Sequence, residues 1–408
     1  MYRPLALGFE SLLFALEQYL NLRQKRTYER TLTSGSAKDK EGCEYALDKM
    51  VFRMTKAAVM LAIEFYFWLY LYPTMWSLAS QSSWATTEYS QTLVFFALKT
   101  PFDLLETLTF DFYYDFVLEE KHGFNKKTLS LFFCDTIKSF CLQVVIGAPL
   151  TWVIIKLIRW GGPAFYIYVW IFSVVFILCM MLLYPTVIAP LFNKYEPLQD
   201  TELKRKIEGM AAEFDFPLTR LYQVDSSIRS SHSNAYFYGF WKAKRIVIYD
   251  TLLDLPHEQI VAVLAHEIGH WRHWHTFIQV NFVFVNLFAT FFLYGLVRDN
   301  QAMFHSFGYY DDTFPVVIGF VLFSALYSPM NTLLNQSITM LTRRFEFEAD
   351  AFAVRTGHGE QLVKALEALE KQNKSPRVFD KWYAWWNYDH PPTVERTEAI
   401  AKLSKKQE

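Results

Sequence analysis

No Asp, Glu, Lys, Arg or His interrupts the chain over residues 160–193, 276–297 or 313–342. Each run exceeds the roughly 20 residues that carry an α-helix across a hydrocarbon core, where backbone polar groups must be satisfied within the segment. A chain with three such stretches is built around a membrane. Three further segments read as spans: 139–155 is short but uncharged, 57–79 carries only Glu64, and 92–117 is apolar but interrupted by charge. Segment 5–20 contains Glu10 and Glu17 and makes a weaker seventh. It has no small-residue cleavage site, so it reads as a retained helix and not as a leader. The alternative is a soluble all-helical protein with a large core. Composition weighs against that: 52% of residues are apolar and 18% aromatic, while only 20% are charged.

Basic residues orient the spans. The segment after the first holds Arg23, Lys25, Arg26, Arg30, Lys38, Lys40, Lys49 and Arg53, and the third loop, "EEKHGFNKKTLS", holds Lys121, Lys126 and Lys127. The loop near 80–90 has none, 156–163 has only Lys156 and Arg159, and 298–312 has only Arg298. The positive-inside rule then puts the odd loops, 194–275 and the C-terminus in the cytosol. Net charge is −1 and the basic residues are dispersed, so no nucleic-acid partner is expected. Cys43, Cys134, Cys141 and Cys179 lie far apart without a CxxC pair, so no disulfide framework is expected and they read as small buried apolar residues.

Two polar regions, 194–275 and 343–408, interrupt the spans. The first opens with "DTELKRKIEGMAAEFDF", where Leu203, Ile207, Met210 and Ala211 keep helical spacing and Asp200 or Thr201 supplies an N-cap. "TRLYQVDSS" and "KRIVIYD" alternate as short strands do, with "NAYFYGF" between them. Pro256 and Glu258 open another helix, and "RRFEFEADAFAVR" continues the seventh span as one. The expected fold is mainly α: a polytopic membrane protein of about seven transmembrane helices, with a small β-sheet in its polar part.

The helix after Pro256 reads "AVLAHEIGHWRHWH". His266 and His270 are four residues apart, so both imidazoles leave one face, and Glu267 can reach a metal-bound water but not the metal. This is the H-E-x-x-H arrangement of zinc peptidases. Satisfied core histidines are the bland alternative, but burying two imidazoles and a carboxylate in an apolar helix is expensive without a use. The H-E-x-x-H-x-x-G-x-x-H class is excluded, because His273 and Thr276 occupy its Gly and last His positions. A third ligand must come from a later helix, and "FEFEAD" offers Glu346 and Glu348. Glu346 is preferred, because Asp350 lies one turn on along the same face and can fix the tautomer of a ligating histidine. Glu348 points elsewhere and reads as the partner of a surface base. His273 and His275 read as solvent-facing or interfacial, with spare ligands as the alternative. Two histidines, one glutamate and a water make a catalytic site for one Zn²⁺, with Glu267 as the base of peptide hydrolysis.

Asp103, Glu106, Asp111 and Asp115 cover about half of the third span's circumference. Such residues normally face a wet interior, although a helix end emerging from the membrane also accounts for Asp115.

At this point the chain resembles the type I CAAX prenyl proteases, integral-membrane zinc metallopeptidases of the gluzincin type. The blocks that carry the resemblance run in order: "LRQKRTY", "EEKHGFN", "SSHSNAYFYGF", "RIVIYDTLL", "LAHEIGHW", "RRFEFEADAFA" and "HPPTVER". The resemblance implies seven helices around a water-filled chamber, closed on the cytosolic side by the zinc domain. It implies division into 1–193 (helices 1–5), 194–275 (first part of the peptidase domain), 276–342 (helices 6–7) and 343–408 (its C-terminal part). It implies removal of the last three residues from prenylated C-a-a-X proteins, in the membrane of the endoplasmic reticulum and nuclear envelope, among membrane lipid. His390 matches a family histidine that stabilises the oxyanion; a structural hydrogen bond is its other reading. Arg396 matches an arginine near the metal, read as a partner of a site carboxylate. Asn234 and Ala235 match the edge on which an extended peptide pairs, although Asn234 also suits a turn. A membrane quality-control protease with the same metal chemistry, and a silent lipid-handling scaffold, are the rival functions. The oligomeric state is not readable from the chain.

Overall fold

The computed structural model describes residues 1–40, 42–239, 243–311 and 313–406. Phe240, which ends the block at 230–240, lies outside them. The charge-free runs are helical, and longer than the apolar core of each run. The first helices are α1 (Tyr2–Ser34), a short α2 (Ala37–Lys40), α3 (Cys43–Tyr66), α4 (Tyr72–Ser80), α5 (Glu88–Tyr113), α6 (Leu129–Trp160) and α7 (Phe165–Leu183). π-Turns splice some of these: Phe67–Leu71 joins α3 to α4, Tyr114–Glu119 extends α5, and Tyr184–Ile188 extends α7. Starts are set by side chains. Thr87 and Ser90 form a reciprocal capping box at α5, and Thr128 Oγ1 accepts from Leu131 N at α6.

Among the described residues, five helical rods are long and apolar enough to cross a membrane: Cys43–Ser80, Leu129–Trp160, Gly162–Leu191, His275–Val297 and Val316–Arg355. The expected first and third spans are helical, within α1 and α5, but fall short of that mark. Glu10 and Glu17 lower the one, and Lys99, Asp103, Glu106 and Asp111 the other. The rods carry bare apolar side chains outward: Val145, Val285, Leu296 and Leu333 are each more than 60% exposed, and Cys134, Cys141 and Cys179, expected to be buried, are exposed on the same rods, whereas Cys43 is buried. Apolar surface of this extent is a lipid-facing belt.

The polar part is built from α8 (Thr201–Glu213), α9 (His257–Arg272), α13 (Gly359–Gln372), α14 (Lys381–Asn387) and α15 (Thr393–Ser404), with a four-stranded sheet. Between these stand α10 (His275–Val297), α11 (Gln301–Ser306) and α12 (Val316–Arg355). Asp200 caps α8 by accepting from Glu202 N and Leu203 N. The strands are β1 (Tyr195–Pro197), β2 (Leu218–Val224), β3 (Ala235–Tyr238) and β4 (Lys244–Tyr249), in the order β1-β2-β4-β3. β2 and β4 are parallel and the other pairs antiparallel, which leaves β3 on an edge. β1 has no pattern in the sequence because it is three residues long and exists only against β2.

One core joins these pieces. Leu203 and Ile207 of α8 and Ile246 and Ile248 of β4 pack with Ile260, Leu264 and Ile268 of α9 and with Phe352 of α12. Gly269 makes the α9–α12 crossing close, because a Cβ there would sit 3.0 Å from Ala349 Cα. A separate aromatic core ties Trp68, Trp76, Phe95, Phe304 and Phe307 around α4, α5 and α11.

Candidate metal centre

α9 presents His266 and His270 one turn apart, and α12 crosses it with Glu346 facing both. The ligand atoms of the three lie within 4.8 Å of one another. His266 Nε2 and His270 Nε2 are 3.1 Å apart; Glu346 Oε2 is 3.5 Å from the first, and Glu346 Oε1 is 3.3 Å from the second. A tetrahedral ion with ligand bonds of about 2.0–2.1 Å requires edges of about 3.3 Å, so the triangle has the right size for a divalent ion. Glu346 Oε2 is buried and receives no directed hydrogen bond, although Arg396 Nη1 lies 3.1 Å away. An ion bound here would satisfy that orphaned oxygen, and the donor set suits zinc.

The outer nitrogens are held so that both Nε2 atoms can bear lone pairs. Asp350 Oδ1 is 2.9 Å from His266 Nδ1 and accepts its proton. Arg396 grips Asp350 in a fork, with Nε to Oδ2 at 2.9 Å and Nη2 to Oδ1 at 2.7 Å. Asp350 is 1% exposed and Arg396 8%, so the pair is desolvated and rigid. His270 is held differently. Its Nδ1 lies 2.9 Å from His275 Nδ1, and His275 Nε2 lies 3.1 Å from Glu348 Oε2. The one proton assignment that leaves His270 Nε2 bare has Nδ1–H donating to His275, and His275 Nε2–H donating to Glu348. Arg344 Nε donates to the other Glu348 oxygen at 2.8 Å.

This corrects one expectation and extends another. His275 is not solvent-facing: it is 2% exposed and stacks on Phe345 at 3.9 Å between ring centroids. Glu348 does pair with a surface base, Arg344, but its other oxygen supports the histidine network. No sequence signal separates His275 from its neighbours. Trp274 takes a left-handed φ of 61°, which ends α9 and turns α10 so that His275 folds back on His270. His273 stacks on His275 and lies 3.4 Å from Arg355 Nη2.

Glu267 stands beside the triangle. Burial pushes its carboxyl above the usual carboxylate range, partly offset by the imidazoles of His266 and His270. A carboxylate of raised pKa is the stronger base. His390 reaches in from the 388–392 segment, with Nε2 3.4 Å from Glu346 Oε1 and Nδ1 3.0 Å from Asp389 Oδ1. The Asp389 hydrogen bond raises the His390 pKa against partial burial. Asn234 stands just before the edge strand; its Oδ1 accepts from Ala235 N at 2.8 Å, and its carbonyl accepts from Tyr249 N at 3.0 Å. Asn234 stands in no assigned turn; its side chain covers the first N–H of β3, and the β3–β4 register turns that Ala235 N–H toward the open edge.

Two sequence blocks dock on each other near this edge. Asn125 bridges Ser230, Ser231 N donates to Phe124 O at 3.2 Å, and His232 stacks on Phe124 at 4.3 Å. Asp103, Asp111 and Asp115 line a cavity of about 430 Å³ between α5 and α6, together with Lys127 and Asp135.

Residues 18–194 match the family model described as CAAX prenyl protease N-terminal, five membrane helices, and residues 197–404 match that of peptidase family M48. The CAAX prenyl protease 1 homolog of Oryza sativa subsp. japonica is 40% identical over 100% of this chain and 99% of the relative. That of Homo sapiens is 36% identical over 97% and 94%, and CAAX prenyl protease 1 of Saccharomyces cerevisiae 34% over 98% and 95%. The crystal structure of S. mikatae Ste24p superimposes with a TM-score of 0.92 at 33% identity, covering 98% of this chain and 99% of that one.

Proposed function

Because this chain belongs to the CAAX prenyl proteases of peptidase family M48, we propose that it is a zinc endopeptidase that removes the C-terminal tripeptide from prenylated CAAX proteins. The observation that carries the reading is the convergence of His266 Nε2, His270 Nε2 and Glu346 on one ion-sized gap. These three residues would hold a single Zn²⁺. When bound, the ion supplies Lewis-acid polarisation of the scissile carbonyl and a water acidic enough to lose its proton near neutral pH. Glu267 takes the attacking water's proton on its carboxylate. The water oxygen bonds to the carbonyl carbon, the C–N bond breaks, and Glu267 returns the proton to the leaving nitrogen. His390, its pKa raised by Asp389, donates from Nε2 to the developing oxyanion. Asp350 keeps the His266 proton on Nδ1, and Arg396 fixes Asp350. The free edge of β3, from Asn234 and Ala235 onward, is where an extended peptide would add as a strand.

In this reading, 1–193 and 276–342 hold the lipid-bearing substrate in the membrane, while 194–275 and 343–408 form the peptidase. The zinc site faces the cytosol, and the membrane is that of the endoplasmic reticulum and inner nuclear envelope. The basic odd loops support the orientation. Glu267→Gln tests the mechanism: the purified protein keeps its metal, while cleavage of a farnesylated CAAX peptide, followed by mass spectrometry, falls about 10²–10⁴-fold. Unchanged turnover would remove Glu267 from the reaction. Equal turnover of farnesylated and unprenylated peptides would favour a general membrane protease instead.

A further inference from the structure

A cavity of about 420 Å³ lies between α3, the end of α5 and segment 373–388. That is within the roughly 300–1,000 Å³ of small-ligand sites. Lys49, Arg53 and Lys374 line it. Among the described residues none of the three has a carboxylate at ion-pair distance, and their hydrogen-bond partners are neutral. Lys49 Nζ donates to Tyr45 OH at 3.3 Å and Lys374 Nζ to His122 O at 2.7 Å. Arg53 Nη2 donates to Asn21 Oδ1 at 2.9 Å and to Tyr383 OH. A fourth cation, Lys56, is taken by Glu106 at 3.5 Å, and Glu119 nearby is taken by Tyr45 and His232. Three cations with no carboxylate at ion-pair distance around one aromatic-walled hollow call for an anion with an apolar body, while Glu119 acts on Lys49 and Glu17 on Arg53 only from farther off.

Short links join the hollow to the metal centre and to the edge strand. Tyr388 forms one wall, two residues before His390, and two residues span at most about 7 Å. Asn373 forms another, and its Oδ1 is 3.0 Å from Nδ1 of His232, three residues before the edge strand. Lys374 is held there by its backbone: its φ is 47°, and Gly42 packs so closely that a Cβ would collide with the Lys374 carbonyl oxygen. A tripeptide beyond a scissile bond extends about 10 Å, longer than the at most about 7 Å that separates His390 from the Tyr388 wall.

We propose that Lys49, Arg53 and Lys374 bind the free C-terminal carboxylate of the substrate, an inference that rests on the tripeptide-removing reading above. The carboxylate sits past the N-terminal end of β3, so the peptide runs antiparallel to that strand. The two aliphatic residues before the carboxylate lie against Tyr45 and Tyr388. The enzyme thus measures three residues from the chain end instead of reading a sequence.

The test uses the full-length zinc-loaded protein in nanodiscs of neutral lipid, with one farnesylated peptide made as the free acid and as the C-terminal amide. Amidation lowers kcat/KM about tenfold, mainly through KM. Lys374→Gln and Lys49→Gln each do the same on the acid, and Lys374→Arg restores much of the loss. Amidation combined with either Gln substitution is no worse than one change alone, because both remove the same contact. The acid-to-amide ratio is internal to each variant and is insensitive to partial misfolding. Equal wild-type turnover of acid and amide, or losses that multiply, overturns the proposal while leaving the protease reading intact. Losses that follow added phosphatidylserine and not the peptide end also overturn it, and assign the hollow to a lipid headgroup. If neither peptide is cut, the protease reading fails and takes the carboxylate site with it.

Discussion

His266 and His270 share a motif but are supported by different chemistry. His266 leans on a carboxylate clamped by an arginine, whereas His270 leans on a second imidazole that leans on Glu348. Outer partners of this kind typically change metal affinity 10–100-fold. His275→Phe keeps the stack on Phe345 and removes both nitrogens, so zinc affinity measured by chelator competition falls by that factor. An unchanged affinity would show that His270 needs no partner. His266, His270 and Glu346 were legible because their spacing is local: one turn on α9, and one turn from Glu346 to Asp350. His275 was not, because its meaning depends on the left-handed Trp274, which no residue pattern announces.

Helix crossings and end caps carry the next level. Gly269→Ala pushes a methyl against Ala349 and Phe352. It costs about 1–3 kcal/mol by overpacking, and it separates the α9 ligands from Glu346. Thermal unfolding and metal content should fall together; stability falling alone would mean that the crossing relaxes without moving the site. At the other junction, Asp380 caps α14 through Trp382 N and Tyr383 N and pairs with Arg23 of α1 at 2.8 Å. The Arg23 hydrogen bonds hold its carboxyl below the usual range. A depressed carboxyl stabilises the fold above its unfolded pKa of about 3.9 and loses that contribution as pH falls through the lower folded value. Asp380→Asn, which still caps, should therefore cost under about 1 kcal/mol at neutral pH, with the difference from wild type shrinking as pH drops below about 4 and gone once pH is under the lower folded value. Asp380→Ala should cost about 1 kcal/mol more at every pH. Uncharged runs marked the rods in the sequence, yet two of the seven helices expected to span hold more charge than the other five. Nor did the sequence reveal that "EEKHGFN" docks on "SSHSN", since that pairing joins segments about a hundred residues apart and has no local signature.

At the scale of the molecule, the metal centre is a tie between α9 and α12, and through them between the polar core and the membrane rods. Bound zinc at 100 times its Kd adds about 2.7 kcal/mol. Chelation should therefore lower the melting temperature of the whole chain in one transition, and a separate early transition would argue that the two parts unfold independently. α12 runs unbroken for 40 residues with Pro329 inside it, about 60 Å at 1.5 Å per residue, twice the thickness of a hydrocarbon core. The same rod that stands in lipid thus ends in Glu346 and Asp350. One residue inserted after Pro329 swings Glu346 by about 100° and lifts it about 1.5 Å; seven nearly restore the azimuth yet lift it by about 10 Å. The working depth of the enzyme is set by a count of helical turns, as a jig sets the depth of a cut.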